Sequence, residues 1–242
     1  SQGWVNEWDA IVQTSEAALS EIDRVLRGQF NEETRPDLSP KIADDLIGQL
    51  EFGIDRVNGG WGSQPKVPSP LNHLFVLQAA RFRERPDLAS HTFTTLEAIS
   101  KGAVIDQIGG GIHRYSNEAS WRLPEAEKTL FDQGLMLEVF AEAQHISPSY
   151  LQERAMRLIA DYTLNRLMLE SGLFAAGETA ESTEGEAAHV LWTRDEIRSI
   201  LGPEDSEVFL LVFDLFNPGI EMGDDVPGVV YQKQEVAPVA ER

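Results

Sequence analysis

The sequence contains no cysteine among its 242 residues. Disulfide bonds, thiol catalysis and cysteine-ligated zinc or iron–sulfur centres are therefore excluded. The absence of cysteine also favours a reducing compartment, so the cytoplasm is the expected location. At this length, the chain can bury a large core without a disulfide or a structural metal.

Basic residues and long apolar runs are also scarce. There are 20 Lys and Arg residues against 40 Asp and Glu residues, which gives a net charge of −20. This charge repels nucleic-acid backbones and anionic membrane surfaces, so neither is an expected partner. No apolar run approaches the ~20 residues of a membrane-spanning helix, and the opening residues show no signal-peptide pattern.

Helical periodicity dominates the sequence. Apolar residues recur at spacings of three and four, as on the buried face of an amphipathic helix. Helices are predicted at residues 4–26, 39–54, 71–83, 88–103, 124–145 and 148–170, from 193 onward, and at 204–216. The helical domain is expected to span 1–216, with a minor β element near 187–192. Residues 217–242 are expected to form an irregular tail, extended at 229–232.

The connections between these helices alternate in length. Those near residues 85 and 147 are very short, which predicts antiparallel helical hairpins. Those at 58–70, 104–123 and 171–192 are long. Since every second connection of such a stack lies at the same end, the three long loops should share one rim, where function is expected. The predicted fold is all-α, an α/α toroid or a large arc of one.

The second long loop carries the densest group of polar and aromatic side chains. Three consecutive glycines at 109–111 lead into His113, Arg114 and Tyr115, and Trp121 follows. The glycines match no phosphate-binding loop. We interpret them as allowing a close approach of loop to helix that side chains would block.

Four motifs resemble those of a known family. GGWGSQPKVP at 59–68 resembles "GGFG-x-x-PKFP", and DQIGGGIHRYS at 106–116 resembles "D-x-x-GGGF-H-RYS". Trp121 with 124–133 resembles "W-x-x-P-H-F-EKMLYDQ", and 173–193 resembles "GGF…EG-x-x-Y-x-WT". Members of this family carry a thioredoxin-like domain followed by a six-hairpin, glycosidase-like α/α toroid. That toroid is similar in fold to N-acylglucosamine and cellobiose 2-epimerases.

The resemblance implies a partial six-hairpin toroid that belongs to a longer protein, without the redox domain. The chain departs from the family where catalysis is expected. The family's His-Phe pair is Glu125-Ala126 here, its Met is Thr129, and its acidic "DADS" box is reduced to 178–182. One interpretation is therefore that the chain descends from an active member of this family and has lost or changed its activity.

Carboxylates at 125–132 are candidates for acid–base chemistry. If these residues begin a helix, Lys128 lies between Glu125 and Asp132 and lowers the pKa of both carboxyls. Glu127 then lies on the apolar face, where burial raises its pKa. A difference in pKa between two neighbouring carboxyls distinguishes a general acid from a base or nucleophile. Alternatively, the acids only complement the dipole of a first helical turn.

Glu127, His113 and Asp106 are the predicted catalytic residues. His113 is a candidate base because its ordinary pKa lies near 6.5, although a structural histidine fits the same position. Arg114 and Tyr115 are expected to bind substrate, and Arg114 could instead clamp Glu127 or Asp106.

The remaining predicted substrate-binding residues come from all three long loops. Trp61, Trp121 and Trp192 would either stack on sugar rings or fill the interior. Lys66 would pair with a substrate carboxylate or with a core acid. Glu125, Lys128 and Asp132 complete the predicted set.

The acids at 178–186 match no calcium-binding loop. No metal is therefore expected, and no cofactor is expected either.

Three functions follow as hypotheses. The first is a sugar epimerase or glycoside hydrolase-like enzyme. The second is a non-catalytic binding or interaction module for a carbohydrate or similar small polar ligand. The third is a structural partner of a thioredoxin-like domain or chain.

Overall fold

The computed structural model describes residues 8–29, 39–183 and 185–234. These residues fall into two compact units, and the division lies between Asp45 and Leu46. The first unit contains α1 (Trp8–Gln29) and the beginning of α2 (Pro40–Phe52). Both were predicted, although Trp4 lies outside the described residues. In the described parts of the chain, no helix combines the length and apolar character needed to cross a membrane.

The second unit contains the rest of α2 and most of the helical core. Its further helices are α3 (Pro70–Phe82), α4 (Pro86–Lys101), α5 (Leu130–Ile146), α6 (Tyr150–Tyr162), which ends in a π-helical turn (Thr163–Leu167), and α7 (Arg194–Val212). Its strands are β1 (Lys128–Thr129), β2 (Gly177–Glu178), β3 (Glu181–Ser182), β4 (Gly185–Glu186), β5 (Leu191–Trp192), β6 (Phe213–Phe216) and β7 (Gly228–Gln232).

Two antiparallel helical hairpins form the core of this unit. Helices α3 and α4 make one hairpin, α5 and α6 make the other, and each helix of one hairpin packs on a helix of the other. Fully buried apolar side chains from all four helices fill the space between them, including Leu77, Leu96, Phe140 and Ile159. The predicted class, a mostly helical arrangement of antiparallel hairpins with a minor β element near 187–192, is confirmed.

Two predicted helices differ from the structure. The helix expected from residue 124 begins at Leu130, because Thr129 is its N-cap and accepts a hydrogen bond from the Asp132 amide. The residues before it are extended and pair with other loops instead. The helices expected from 193 and at 204–216 are the two halves of α7, which is interrupted at Gly202, where φ is +78°. The second half ends at Val212 instead of residue 216, and 213–216 form β6, which pairs with β7. The extended backbone predicted at 229–232 is confirmed.

The three long loops meet at one end of the hairpins, as predicted. Lys66 in the first loop and Ser116 in the second exchange backbone hydrogen bonds of 2.7 and 2.8 Å. Strand β1, directly after the second loop, pairs with β2 in the third. The loops thus form one continuous surface of paired extended segments.

Candidate functional site

The segment 114–116 lies between two other extended segments. Ser116 pairs with Lys66 on one side. On the other side, the Arg114 amide donates to the Glu127 carbonyl at 3.3 Å, and the Glu125 amide donates to the Tyr115 carbonyl at 2.9 Å. This pairing gives the Glu125 N–H and the Glu127 carbonyl partners without a helix, and it fixes the backbone positions of Arg114 and Tyr115.

These two residues line a cleft of about 400 Å³, here called the Arg114 cleft. The other walls come from the loop before α3, from the first turn of α3 and from the first turns of α5. The lining residues that carry polar or aromatic groups are Ser69, Asn72, Arg114, Tyr115, Phe131 and Asp132. A cavity of this size suits a small ligand.

Arg114 joins two carboxylates at the cleft. Its guanidinium lies 2.9 Å from Glu127 and 3.7 Å from Asp132. The Thr129 hydroxyl donates to Asp132 at 2.6 Å. Burial raises the pKa of the Asp132 carboxyl, and the Thr129 hydrogen bond and the Arg114 charge oppose this only in part. Ion pairing with Glu127 raises the pKa of Arg114, so the guanidinium stays charged.

Aromatic rings complete the walls of the cleft. Phe131 is 57% exposed, although it belongs to the first turn of α5, and the Arg114 guanidinium lies 6.0 Å from its ring centre. The Tyr115 hydroxyl donates to Glu125 at 3.3 Å. The negative charge of Glu125, followed by burial, raises the pKa of Tyr115, so the phenol is neutral. A ligand in the cleft would meet aromatic carbon and charged oxygen and nitrogen together.

A second group of charges lies buried beside this cleft, and we call it the Asp106–Lys128 network. The Lys128 ammonium donates to Asp106 at 2.7 Å and to the Gly110 carbonyl at 2.8 Å. Asp106 also accepts hydrogen bonds from the amides of residues 108 and 109. Burial alone would raise the pKa of Asp106, but the Lys128 charge and these hydrogen bonds outweigh burial and lower it.

His113 is buried next to this network. Its side chain is 1% exposed, and its Nδ1 has no hydrogen-bond partner. Burial, followed by the charge of Lys128, lowers the pKa of His113 to about 3, so the ring is neutral at physiological pH. The structure therefore places His113 and Asp106, both predicted to be catalytic, away from the lining of the cleft.

The glycine triplet contacts α6, as the sequence predicts. Gly110 and Gly111 have φ angles of +76° and +81°. A Cβ atom at Gly111 would lie 2.6 Å from the Tyr162 ring, and one at Gly110 would lie 2.8 Å from the Leu158 carbonyl oxygen. The Gly111 amide donates to that same carbonyl. Side chains at both positions would thus disrupt the contact between loop and helix.

Several predicted binding residues have structural contacts instead. Lys128 does not lie between Glu125 and Asp132, because β1 replaces the expected helical turn. Trp121 is fully buried, and its indole N–H donates to the Asn58 carbonyl at 2.8 Å. Lys66 pairs with Asp55 and the Gly59 carbonyl in the core, which is the structural alternative for this residue.

The other two tryptophans lie apart from the cleft. Trp61 lines a separate cavity. Trp192 belongs to β5 and packs against the cluster of Ile197, Leu215 and Val230. The three tryptophans therefore do not form a common stacking surface.

The acidic third loop is partly anchored. Glu178 accepts hydrogen bonds from Tyr162 at 2.7 Å and Arg166 at 2.9 Å. Glu184 lies outside the described residues. Within the described ranges, no group of three or more His, Asp or Glu side chains is arranged to hold a metal.

The sequence analysis found three lining residues of the cleft and missed others. Arg114, Tyr115 and Asp132 were predicted, and Glu125 and Glu127 contact two of them. Ser69, Asn72 and Phe131 were not assigned to the site. Ser69-Pro70 is a helix-start signal at the end of the first long loop, and it could have identified the first turn of α3 as a wall.

Comparison with known proteins yields partial similarities. No protein-family model matches the chain. Spermatogenesis-associated protein 20 of Mus musculus is 31% identical over 163 residues, and that of Rattus norvegicus is 32% identical over 163 residues. An uncharacterized protein of Caenorhabditis elegans is 26% identical over 195 residues. The matches cover 63% to 74% of this chain but only 21% to 27% of those proteins.

Two solved structures share part of the helical arrangement. A cellobiose 2-epimerase from Bacillus thermoamylovorans has a TM-score of 0.43 and 13% identity, over 60% of this chain and 43% of that chain. An alpha-amylase from Clostridium perfringens has a TM-score of 0.42 and 11% identity, over 72% of this chain and 52% of that chain.

Proposed function

We propose that the chain binds a small carbohydrate or similar polyhydroxylated ligand in the Arg114 cleft. The observation that carries the proposal is the meeting of Arg114, Asp132 and the exposed Phe131 ring around one cavity. Sugar hydroxyls donate to carboxylates and accept from guanidinium groups. The C–H face of a sugar packs on an aromatic ring. A ligand of this class therefore uses both kinds of surface in the cleft.

The exposure of the charged groups also supports binding here. Arg114 and Glu127 are each 41% exposed, so a ligand can reach their free hydrogen-bonding positions. Lys128 is 3% exposed and already donates to two partners. Ligand contact is therefore assigned to the Arg114 cleft and not to the buried network.

Titration calorimetry with neutral monosaccharides and disaccharides tests this proposal. Arg114→Ala and Phe131→Ala should each weaken binding by roughly tenfold or more, the equivalent of about 1.4 kcal/mol. Arg157→Ala and Phe82→Ala are matched controls, because these residues are exposed and lie outside the cleft. The proposal fails if no saccharide binds, or if the controls weaken binding as much as the cleft variants.

One observation favours acid–base turnover as a second function. Arg114 joins the exposed Glu127 to Asp132, whose pKa burial raises. Two carboxyls in different surroundings, one largely buried and one exposed, are the arrangement from which epimerases and glycoside hydrolases draw a general acid and a base. Asp132 would then donate the proton and Glu127 would accept one. This assignment replaces His113 and Asp106 of the sequence-based hypothesis.

Product analysis separates the two functions. If the cleft is catalytic, wild-type protein converts a bound saccharide, and Asp132→Asn binds it with turnover reduced by at least ~100-fold. If wild-type protein binds a saccharide and forms no product, the cleft is a non-catalytic binding module for that ligand. A thioredoxin-like partner remains a prediction of the family resemblance.

A further inference from the structure

A second cavity, separate from the Arg114 cleft, lies between the C-terminal half of α2 and the hairpin of α3 and α4. Its volume is about 120 Å³, and it is more enclosed than the cleft. We call it the Trp61 cavity. Its apolar lining comprises Ile47, Leu50, Ile54, Trp61, Val76, Ala79 and Leu88. None of these residues lines the Arg114 cleft.

Trp61 is held in one position at this cavity. Its indole N–H donates to the Leu50 carbonyl at 2.9 Å, and its backbone pairs with Ile54. The ring centre lies 5.2 Å from that of His91, in an edge-on arrangement, and 4.6 Å from that of His73. An aromatic wall fixed in this way loses little side-chain entropy when a ligand packs on it.

The imidazole of His91 adds an uncharged aromatic wall. Its Nε2 lies 3.0 Å from the Gly60 carbonyl and donates to it. Burial lowers the pKa of His91 despite this hydrogen bond, so the ring is neutral at physiological pH. The charged residues that line the cavity are Glu51, Arg56 and Asp87. All three are exposed, so they lie at its rim. The interior is thus apolar, and polar partners are at the rim.

The size and lining of the cavity indicate what it accepts. An apolar cavity of about 150 Å³, engineered in another protein, stays dry and binds benzene. We propose that the Trp61 cavity is a binding site for a single aromatic ring or an apolar group of similar size. A polar substituent on that ring would reach Glu51, Arg56 or Asp87 at the rim.

This site is independent of carbohydrate binding. The Trp61 cavity shares no lining residue with the Arg114 cleft. Failure of one proposal therefore leaves the other standing. The aromatic ligand and the saccharide should bind without competing.

Fluorine NMR with 4-fluorophenol tests the proposal, because the probe is one ring with one polar substituent. Wild-type protein should broaden and shift the fluorine signal in a saturable manner. Ala79→Leu places a larger side chain in the cavity, and Ser90→Leu blocks it from the exposed rim. Both should weaken binding by about tenfold or more. Ala141→Leu on the exposed face of α5 is the matched control and should bind as wild type does.

Three outcomes would overturn the proposal. The first is the absence of saturable binding to wild-type protein. The second is unchanged binding to a Ser90→Leu variant that circular dichroism shows to be folded; this variant decides the matter even if Ala79→Leu does not fold. The third is loss of binding in Arg114→Ala, which would place the ring in the Arg114 cleft.

Discussion

The Asp106–Lys128 network and the Arg114 cleft are built from the same stretch of sequence, yet they use charge in opposite ways. In the network, Lys128 and Asp106 are 3% and 14% exposed and form an ion pair, and Lys128 also donates a hydrogen bond to the Gly110 carbonyl of the glycine loop. In the cleft, Arg114 and Glu127 are each 41% exposed. A buried pair cannot exchange its partner for a ligand without a large desolvation cost, whereas an exposed pair can. Charged residues within one motif thus divide into those that hold the loop and those that face the solvent.

The largest expected effect comes from breaking the buried network. Lys128→Met leaves the Asp106 carboxylate buried without its partner, which costs about 3–5 kcal/mol of the free energy of unfolding. Urea denaturation measures this loss. Lys41→Met is the matched control, since the Lys41–Asp45 pair is exposed and such pairs contribute about 0–1 kcal/mol. Equal losses in the two variants would contradict the structural role of Lys128.

The glycine loop gives the next largest effect. Gly111→Ala combines a strained φ of +81° with a Cβ atom 2.6 Å from Tyr162. Gly172→Ala has the same φ of +81°, with no atom within 4 Å of the added Cβ. The backbone strain costs about 1–2 kcal/mol in both variants, and overpacking adds roughly 1–3 kcal/mol in Gly111→Ala alone. Denaturation of both variants isolates the packing contribution, which would be zero if the loop did not contact α6.

The pH dependence of stability should differ in sign between the two charge groups. The pKa of Asp106 is lowered from 3.8, so its ionised form stabilises the fold above that pH, and this contribution is lost as the pH falls. The pKa of Asp132 is raised from 3.8, so its contribution is present below that pH and is lost as the pH rises through the raised value.

Asparagine variants test these opposite signs. Asp106→Asn should reduce the loss of stability on acidification, and Asp132→Asn should reduce the loss between acidic and neutral pH. The measurement is the free energy of unfolding between roughly pH 3 and pH 7. The same direction of change in both variants would contradict the account.

The smallest effect on stability is expected in the cleft. Arg114→Ala removes an exposed ion pair, so the free energy of unfolding should change by about 0–1 kcal/mol. Thermal and urea denaturation measure this change. A loss comparable with that of Lys128→Met would show that Arg114 holds the loop, and that the division between the two groups is wrong.

Helices with local signals at their ends were predictable from the sequence. Pro70 and Pro86 each occupy the first turn of a helix, where proline costs no hydrogen bond. Thr193 and Glu196 form a capping box, a local signal that satisfies backbone groups within one turn. Such signals depend on neighbours in sequence, so a single chain suffices to recognise them.

The site was predictable only in part, because its geometry depends on distant partners. Residues 125–129 carry the composition of a first helical turn, but pairing with the segment 114–116 and with β2 makes them extended. Because of this pairing, the Lys128 side chain contacts Asp106 instead of Glu125. The hydrogen-bond partner of the buried Trp121 indole N–H is likewise distant in sequence: it is the carbonyl of Asn58, 63 residues away. Neither contact has a local sequence signal.

The most direct test is a ¹H–¹⁵N NMR titration of the protein with a saccharide that binds it. The side-chain resonances of the arginine Nε–H groups report on the Arg114 cleft, and those of the tryptophan indole N–H groups report on the buried core. The account predicts that the Arg114 Nε–H signal shifts in a saturable manner while the indole signal of the buried Trp121 stays in place. A saturable shift of Trp121 without any shift of Arg114 would show that the ligand lies elsewhere, and would contradict the account.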